Sequence, residues 1–262
     1  MVYYLSNLPD GLIYGLLAMG IYISLRILDI PDLTTEGSFG FGAVISVLVT
    51  LAGHPVLGLL AGLVAGLFAG AITGLLQTKL SVHPVLAGII TMSGLYSINL
   101  VCYSLTDKGA TTNLSYNQST IFETVKNLLG VSGQFNTTLV KAGVSLVIVI
   151  LLLVIMSLFF KTHLGLRIRA TGDNSDMVRS SSINPIFTTT VGLCVANAFT
   201  GLSGCLLGQA QKSVSIDIGS GVVTIALASL LIGGTFMGKG GICIRAIGVV
   251  LGSVIFRVIY AV

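Results

Sequence analysis

The sequence predicts an all-α integral membrane protein with about eight transmembrane helices. Only 8% of the 262 residues are charged, whereas soluble proteins carry about 25%. Apolar stretches of about 20 residues recur along the chain, and this is the length at which a helix crosses about 30 Å of hydrocarbon. Because lipid cannot satisfy open backbone groups, such stretches fold as helices.

The predicted spans follow one another along a single membrane domain, residues 1–262. They cover residues 8–28, 37–53, 56–76, 84–104, 141–160, 186–208, 221–238 and 242–261. The first span has no basic region before it and no small-residue cleavage site, so it is interpreted as a true span and not a removable signal. In the third span, glycines at 62, 66, 70 and 74 leave one helix face bare for close packing.

A long outer loop, residues 105–140, follows the fourth span. In it, Thr120 and Glu123 have the spacing of a capping box. The apolar residues that follow share one helical face and are Ile121, Phe122, Val125, Leu128 and Leu129. This pattern predicts a short amphipathic helix, which is either a lid at the membrane interface or a docking site for an external partner.

The connection between the fifth and sixth spans, residues 162–184, is polar and is called the ribbon below. If the ribbon is cytoplasmic, more of the 13 Lys and Arg residues lie inside than outside, as the positive-inside rule requires, and both termini face outward. The inner set is Arg26, Lys79, Lys161, Arg167, Arg169, Arg179, Lys239 and Arg245, and the outer set is Lys108, Lys126, Lys141, Lys212 and Arg257. Gly172, Asp173 and Asn174 are predicted to turn the chain into a short cytoplasmic helix over 171–182, with Asp173 as its N-cap. An ordinary positive-inside loop is the alternative, and charge alone favours it.

Two interruptions rich in carboxylates and glycine lie in the two halves of the chain. The first broken segment is residues 28–42, "LDIPDLTTEGSFGFG", and the second is residues 215–221, "SIDIGSG". The predicted topology places them between spans of opposite direction, as an inverted repeat would. The acids of the first segment, Asp29, Asp32 and Glu36, are alternatively solvated loop residues or partners of Arg167 and Arg169.

The broken segments predict a translocation pathway, because backbone groups freed by glycine and proline must face protein or water. The predicted lining is Thr34, Glu36, Ser38 and Phe39, with Asp217 and Ser220 near the outer mouth. Phe39 is a candidate apolar gate or a packing residue. Other polar residues within spans are interpreted as bonding neighbouring helices or their own backbone carbonyls, with a role in the pathway as the alternative. These residues are Thr91, Ser93, Ser97, Asn99, Asn197 and Thr200.

Catalytic and metal chemistry is not expected in this chain. Its four cysteines lack CxxC spacing and its three histidines are scattered, so neither a disulfide nor a metal site is predicted. The run "GGTFMGKGG" lacks the spacing of a phosphate-binding loop. A membrane enzyme is therefore disfavoured, and any ATP must be hydrolysed elsewhere.

The run T-x-L-G-x-R-x-R-A-x-G-D-N at residues 162–174, followed by "SSSIN", resembles the coupling segment of permease subunits from ABC importers of the branched-chain amino acid and ribose type. Three other stretches resemble the branch linked to tryptophan or tyrosine uptake, and these are "GLIYGLLAMGIYISLRILDIPDLTTEGSFGFGA", "HPVLAGIITMSGLYSINL" and "LGSVIFRVIYAV". The resemblance implies contact with a separate ATPase through Arg167, Arg169, Thr171, Gly172, Asp173, Asn174, Met177 and Ser181.

The resemblance also implies the setting of the protein. Its expected partners are an ABC ATPase dimer that binds ATP and Mg, an extracellular or periplasmic substrate-binding protein, a second permease chain, which would make a homodimer, and membrane lipid. No cofactor in this chain and no nucleic acid are expected. The implied function is import of a small solute, such as an aromatic amino acid, across a bacterial plasma membrane. A gradient-driven secondary transporter or channel is the alternative, but it leaves the ribbon without a clear purpose.

Overall fold

The structure is a computed structural model that describes residues 2–104, 111–114, 119–128, 130, 134–238 and 240–260. The α-helices within these ranges are α1 (Val2–Ile21), α2 (Thr34–Leu51), α3 (Pro55–Thr78), α4 (Pro84–Ser104), α5 (Ile121–Leu128), α6 (Gln134–Phe159), α7 (His163–Asp173), α8 (Ser175–Ser180), α9 (Pro185–Gln211), α10 (Val222–Met237) and α11 (Ile242–Tyr260). A π-helical turn, Tyr22–Ile27, continues α1, and a 3-10 turn, Ile216–Gly219, precedes α10. Strands β1 (Thr111–Asn113) and β2 (Ser213–Ser215) pair antiparallel.

Eight helical stretches of the described chain are long and apolar enough to cross a bilayer. They are Asn7–Ile27, Thr34–Leu51, Pro55–Thr78, Pro84–Ser104, Thr137–Phe159, Pro185–Gln211, Ile216–Met237 and Ile242–Tyr260. Each corresponds to one span expected from the sequence. The predicted class, an all-α multi-pass membrane protein with eight spans, is confirmed.

Helices α1, α2 and α9 occupy the centre of the bundle. In an 18-residue apolar stretch of each of the spans Asn7–Ile27 and Pro185–Gln211, 83% of the residues are buried within the chain, whereas in Thr137–Phe159 the share is 17%. The peripheral helix α6 is also the most apolar, with a mean hydropathy of 3.0. Central helices can therefore carry polar and small residues because other helices, and not lipid, surround them.

Glycines bring α3 into backbone contact with α9. A Cβ at Gly66 would overlap the carbonyl of Asn197, and one at Gly70 would overlap the carbonyl of Leu193. Gly62 and Gly74 meet Cys205 and Thr190 in the same way. The bare face expected from the sequence is confirmed, and its partner is α9. In lipid the hydrophobic effect does not drive helices together, so the van der Waals packing that this close approach allows stabilises the pair instead.

The connections of the bundle gather at two opposite ends. The ribbon side holds residues 28–33, 79–83 and 160–184: Gly172 packs on the carbonyl of Ile27, and one cavity is lined by Ile30, Ser81 and Arg179 together. The loop side holds β1 and β2, where Thr112 is paired with Val214.

The ribbon folds as two helices instead of a turn followed by one helix. Helix α7 begins directly after Thr162, which caps it, and continues through Gly172 to Asp173. The N-cap of α8 is Asn174, whose Oδ1 accepts hydrogen bonds from the backbone nitrogens of Asp176 and Met177 at 3.1 and 3.0 Å. The prediction that Asp173 caps the second helix is wrong, because the amide one residue later reaches both free N–H groups.

The loop between α4 and α6 contains the predicted amphipathic helix, which is α5. Thr120 Oγ1 accepts a hydrogen bond from the Glu123 nitrogen at 3.4 Å, which is one half of the capping box. The Glu123 carboxylate pairs with Lys212 and so ties α5 to the end of α9. Phe122 is buried while Leu128 is exposed, and Leu129 lies outside the described residues.

Candidate translocation site

The first broken segment enters the bundle from the ribbon side. The backbone reverses at Asp29, which has a φ of 56°, and α2 starts only at Thr34. Asp32 Oδ2 accepts a hydrogen bond from Asn197 Nδ2 at 2.7 Å. Because Asn197 is the thirteenth of the 27 residues of α9, Asp32 lies level with the middle of that helix.

Asp32 is held in a buried polar network that joins four helices. Its Oδ1 accepts from the backbone nitrogen of Thr34 at 2.9 Å, and Asn197 Oδ1 in turn accepts from Ser38 Oγ at 2.7 Å. The hydroxyls of Thr34 and Thr73 are 2.7 Å apart, and Thr73 donates to Thr91 at 3.0 Å. A buried carboxylate requires such partners to offset its lost hydration. The alternative pairing of Asp32 with the ribbon arginines is wrong.

The second broken segment enters from the loop side and meets the first. After β2, the turn Ile216–Gly219 runs back into the bundle until Gly219 packs on the carbonyl of Glu36. Gly221, with a φ of 76°, then starts α10, and its nitrogen donates to Glu36 Oε1 at 3.1 Å. Helix α10 has 16 residues, about 24 Å of rise, so it is shorter than the hydrocarbon thickness of about 30 Å.

A cavity of about 440 Å³ lies where the two broken segments meet. Its walls are α2, α4 and the second broken segment, through Glu36, Gly37, Gly40, Met92, Ser93, Tyr96, Ser97, Asn99, Ile216, Asp217, Gly219 and Ser220. This lining combines two carboxylates, four hydroxyls and an amide with apolar surface. Such a mixture suits a small polar solute, because apolar surface gives affinity and a few polar groups set orientation.

The two carboxylates of the cavity differ in their surroundings. Glu36 is half-buried and caps the N-terminus of α10 through Gly221, so the positive end of that helix offsets part of its charge. Asp217 is exposed at the cavity wall. Asn99 is 3% exposed, and its Oδ1 accepts no hydrogen bond from the described residues.

The residues expected to line a pathway divide into two groups. Glu36, Asp217 and Ser220 line the cavity together. Thr34, Ser38 and Phe39 are each 0% exposed and lie behind its wall. Thr34 and Ser38 belong to the Asp32 network, and the Phe39 ring stacks on Tyr14 with 6.3 Å between centroids.

Helix α4 supplies cavity residues, three of which the sequence pattern favours as helix-bonding groups. These three, Ser93, Ser97 and Asn99, line the cavity together with Tyr96, whereas Thr91 bonds a neighbouring helix as expected. The cavity residues at 93, 96 and 97 follow the i, i+3, i+4 spacing of one helix face. This spacing is a signal that could have grouped them with the broken segments.

The ribbon presents polar surface while it is anchored to the first broken segment. The exposed residues of the expected ATPase contact are Arg167, Arg169, Asp173, Asn174, Met177 and Ser181. Thr171 and Gly172 instead point into the bundle. The hydroxyls of Thr171 and Thr188 are 2.8 Å apart, and Gly172 leaves no space between α7 and Ile27.

Comparison with known proteins agrees with this architecture. A family model described as "Branched-chain amino acid transport system / permease component" matches residues 3–262. A tyrosine transport system permease protein of Clostridioides difficile (strain R20291) is 31% identical over 254 residues, which cover 97% of this chain and 80% of the relative. A nucleoside ABC transporter permease protein, NupB, of Lactococcus lactis subsp. cremoris (strain MG1363) is 36% identical over 99 residues, 35% of this chain and 26% of the relative.

A third relative, an uncharacterized protein of Rickettsia prowazekii (strain Madrid E), is 26% identical over 232 residues, 87% of this chain and 76% of the relative. No solved structure matches the chain significantly. The family match extends over nearly the whole sequence, and so does the similarity to the first relative. The chain therefore belongs to the family of permease components of branched-chain amino acid transport systems.

Proposed function

We propose that this chain is the membrane-spanning subunit of an ATP-driven importer and that the cavity between the broken segments is part of its translocation pathway. One observation carries the proposal: segments that enter from opposite sides of the bundle meet at a polar cavity through Glu36 and Gly221. Transporters place solute sites where interrupted helices meet near the middle of the membrane.

The proposed coupling runs from the ribbon to the cavity. An ATPase that pushes on α7 would act on Ile27 through Gly172 and on α9 through Thr171. Ile27 adjoins the first broken segment, and Leu28 packs on Gly192 of α9. Because Gly172 meets the Ile27 backbone directly and the other two contacts are between closely packed groups, a displacement of α7 should be passed on to the segment and to α9. Movement of the segment would then displace Glu36 and change its hydrogen bond to Gly221 at the start of α10.

The proposed assembly follows from the family. The ribbon would face the cytoplasm and contact an ABC ATPase dimer, on which ATP and Mg bind. A substrate-binding protein would deliver the solute to the loop side, and two copies of this chain would form a homodimer in a bacterial plasma membrane. The single membrane domain, residues 1–262, is part of the same proposal.

The proposed substrate class is an aromatic amino acid. The tyrosine transport system permease of C. difficile supports it, and a cavity of about 440 Å³ is within the usual range for small-molecule sites. A gradient-driven transporter is a second candidate, because a carboxylate buried as deeply as Asp32 is a feature of proton relays in membranes.

Uptake into proteoliposomes separates the two functions. The full chain is reconstituted with the ATPase and binding protein from its own organism, and radiolabelled tyrosine is supplied outside. We expect accumulation that requires ATP and the binding protein and that a proton gradient does not replace. Accumulation by this chain alone under a proton gradient would refute the importer and favour the second candidate.

A further inference from the structure

The charged side chains that line the cavity between the broken segments are all acidic. Glu36 and Asp217 contribute two carboxylates, while none of its described lining residues is Lys, Arg or His. Serine hydroxyls at 93, 97 and 220 can donate or accept, so the permanent charge of the lining is negative. Tyr96 and Met92 give the cavity an apolar side.

Asn99 marks the same cavity as an incomplete hydrogen-bonding site. The residue is 3% exposed and lines the cavity, yet its Oδ1 accepts no hydrogen bond within the described chain. A buried amide oxygen without a donor costs free energy. A solute that brings an N–H group to this wall would satisfy it.

We infer that the cavity selects solutes that carry a protonated amine beside an apolar body and excludes solutes of net negative charge. An ammonium group brings three donors and no acceptor, which matches Asp217, Glu36 and Asn99 Oδ1. The inference rests on the proposed function, because it specifies the chemistry of the solute in that pathway.

The two carboxylates have different roles in this selection. Asp217 is exposed at the wall and supplies the main counter-charge. Glu36 already accepts from the Gly221 nitrogen at 3.1 Å, and the positive end of α10 offsets part of its charge. Glu36 can still accept a bond from an amine, because a carboxylate has about four acceptor sites, but it contributes less of the counter-charge than Asp217.

The test measures how fast charged thiol reagents reach the cavity. Ser220→Cys is introduced into the full chain with Cys102, Cys194 and Cys243 replaced by serine and the buried Cys205 retained. Membrane vesicles that contain the chain are treated with trimethylammonioethyl methanethiosulfonate, a cation, or with sulfonatoethyl methanethiosulfonate, an anion. Ala52→Cys, on the exposed turn after α2, gives the intrinsic ratio of the two rates, and the chain without an added cysteine gives the background.

A carboxylate about 6 Å away in water changes the local concentration of a singly charged reagent by about threefold, in opposite directions for the two signs. We therefore expect the cation-to-anion rate ratio at position 220 to be about tenfold or more above that at position 52. Asp217→Asn should lower the ratio by about tenfold, and Glu36→Gln should lower it less. Tyramine at millimolar concentration should slow the labelling of Ser220→Cys, whereas 3-(4-hydroxyphenyl)propanoate should not.

Equal ratios at positions 220 and 52 would overturn the charge selection and leave the importer proposal standing. Protection by the acid as strong as that by the amine, or no protection by tyramine, would overturn amine recognition. If Ser220→Cys resists both reagents while Ala52→Cys reacts, water does not reach the cavity, and the pathway proposal falls as well.

Discussion

At the scale of single residues, Asp32 and Asp217 are the two carboxylates of the candidate site whose surroundings differ most. Asp32 is buried and bonded to Thr34 and Asn197, whereas Asp217 is exposed at the cavity. The sequence predicted both segments but not this difference. Burial of Asp32 depends on a partner 165 residues away, and local sequence carries no signal for such a contact.

Replacing Asp32 should destabilise the protein more than replacing Asp217. Asp32→Ala leaves the Thr34 nitrogen and the Asn197 amide without their acceptor, and we expect a loss of about 2–4 kcal/mol. Asp217→Ala removes an exposed carboxylate and should change the free energy of unfolding by less than about 0.5 kcal/mol. Unfolding of the detergent-solubilised protein measures both. Equal stability of the two variants would show that the network does not hold the segment.

The cavity residues differ in how well their roles can be predicted from the sequence. The glycine and carboxylate pattern was sufficient to select Glu36, Asp217 and Ser220, because broken backbone must face water or protein. Ser93, Ser97 and Asn99 lie on an unbroken helix, and their role depends on the rotation of that helix about its axis. Rotation is set by packing of α4 on α2, where Gly37 meets Met92.

At the scale of elements, glycine positions decide which helices touch. The row of glycines in α3 was predictable as a packing face from its spacing, but its partner was not, since α9 follows more than 100 residues later. Gly66 and Gly143 are the two extremes in the space available for a side chain. A Cβ at Gly66 would overlap Asn197, whereas one at Gly143 would meet nothing within 4 Å.

Alanine at these two glycines should have opposite effects. Gly66→Ala forces α3 away from α9, and we expect a destabilisation of about 1–3 kcal/mol. Gly143→Ala adds a better helix former at an open position and should stabilise by up to about 1 kcal/mol. Thermal unfolding in the same detergent compares them. A Gly66→Ala protein as stable as Gly143→Ala would refute the close packing of these helices.

The ribbon is the element whose details differed most from expectation. Its polarity and its family pattern predicted a cytoplasmic helix, but Gly172 was interpreted as a turn residue. It lies within α7 and permits contact with the Ile27 carbonyl. A close approach and a turn both favour glycine, so the residue type alone does not separate them.

Enlarging Gly172 should uncouple ATP hydrolysis from uptake. Gly172→Val pushes α7 off the first broken segment, while the exposed ribbon surface remains available to a partner. We expect the reconstituted complex to hydrolyse ATP and to lose tenfold or more of its transport per ATP. Gly143→Val, on the periphery, is the control. Normal transport per ATP in Gly172→Val would contradict the proposed coupling.

At the scale of the whole molecule, the eight spans and the alternation of their ends were predictable because apolar length is a direct consequence of bilayer thickness. The meeting of the two broken segments was not, although their opposite directions suggested an inverted repeat. That repeat stays a prediction. What the fold adds is three contacts along one stretch of chain: Ile27 with Gly172 of α7, Asp32 with Asn197 of α9, and Glu36 with Gly221 at the start of α10.

The proposed orientation in the membrane, with the ribbon in the cytoplasm, predicts which side each connection faces. Ser181→Cys should react with a membrane-impermeant thiol reagent only in inside-out vesicles, and Ala52→Cys only in intact cells. Both positions are exposed, so a difference in labelling reports sidedness and not burial. Labelling of Ser181→Cys from outside would reverse the proposed topology.

The central claim is that the ATPase, acting through the ribbon, opens and closes the cavity. Its most direct test is the reactivity of Ser97→Cys, a cavity residue on α4, in the reconstituted complex with and without ATP and magnesium. A shift of the open state from about 10% to nearly full population would change the reaction rate about tenfold. We predict a change of this size in the otherwise unaltered chain and none in the Gly172→Val background. A rate that is the same in every nucleotide state, while Ala52→Cys reacts normally, would contradict the account.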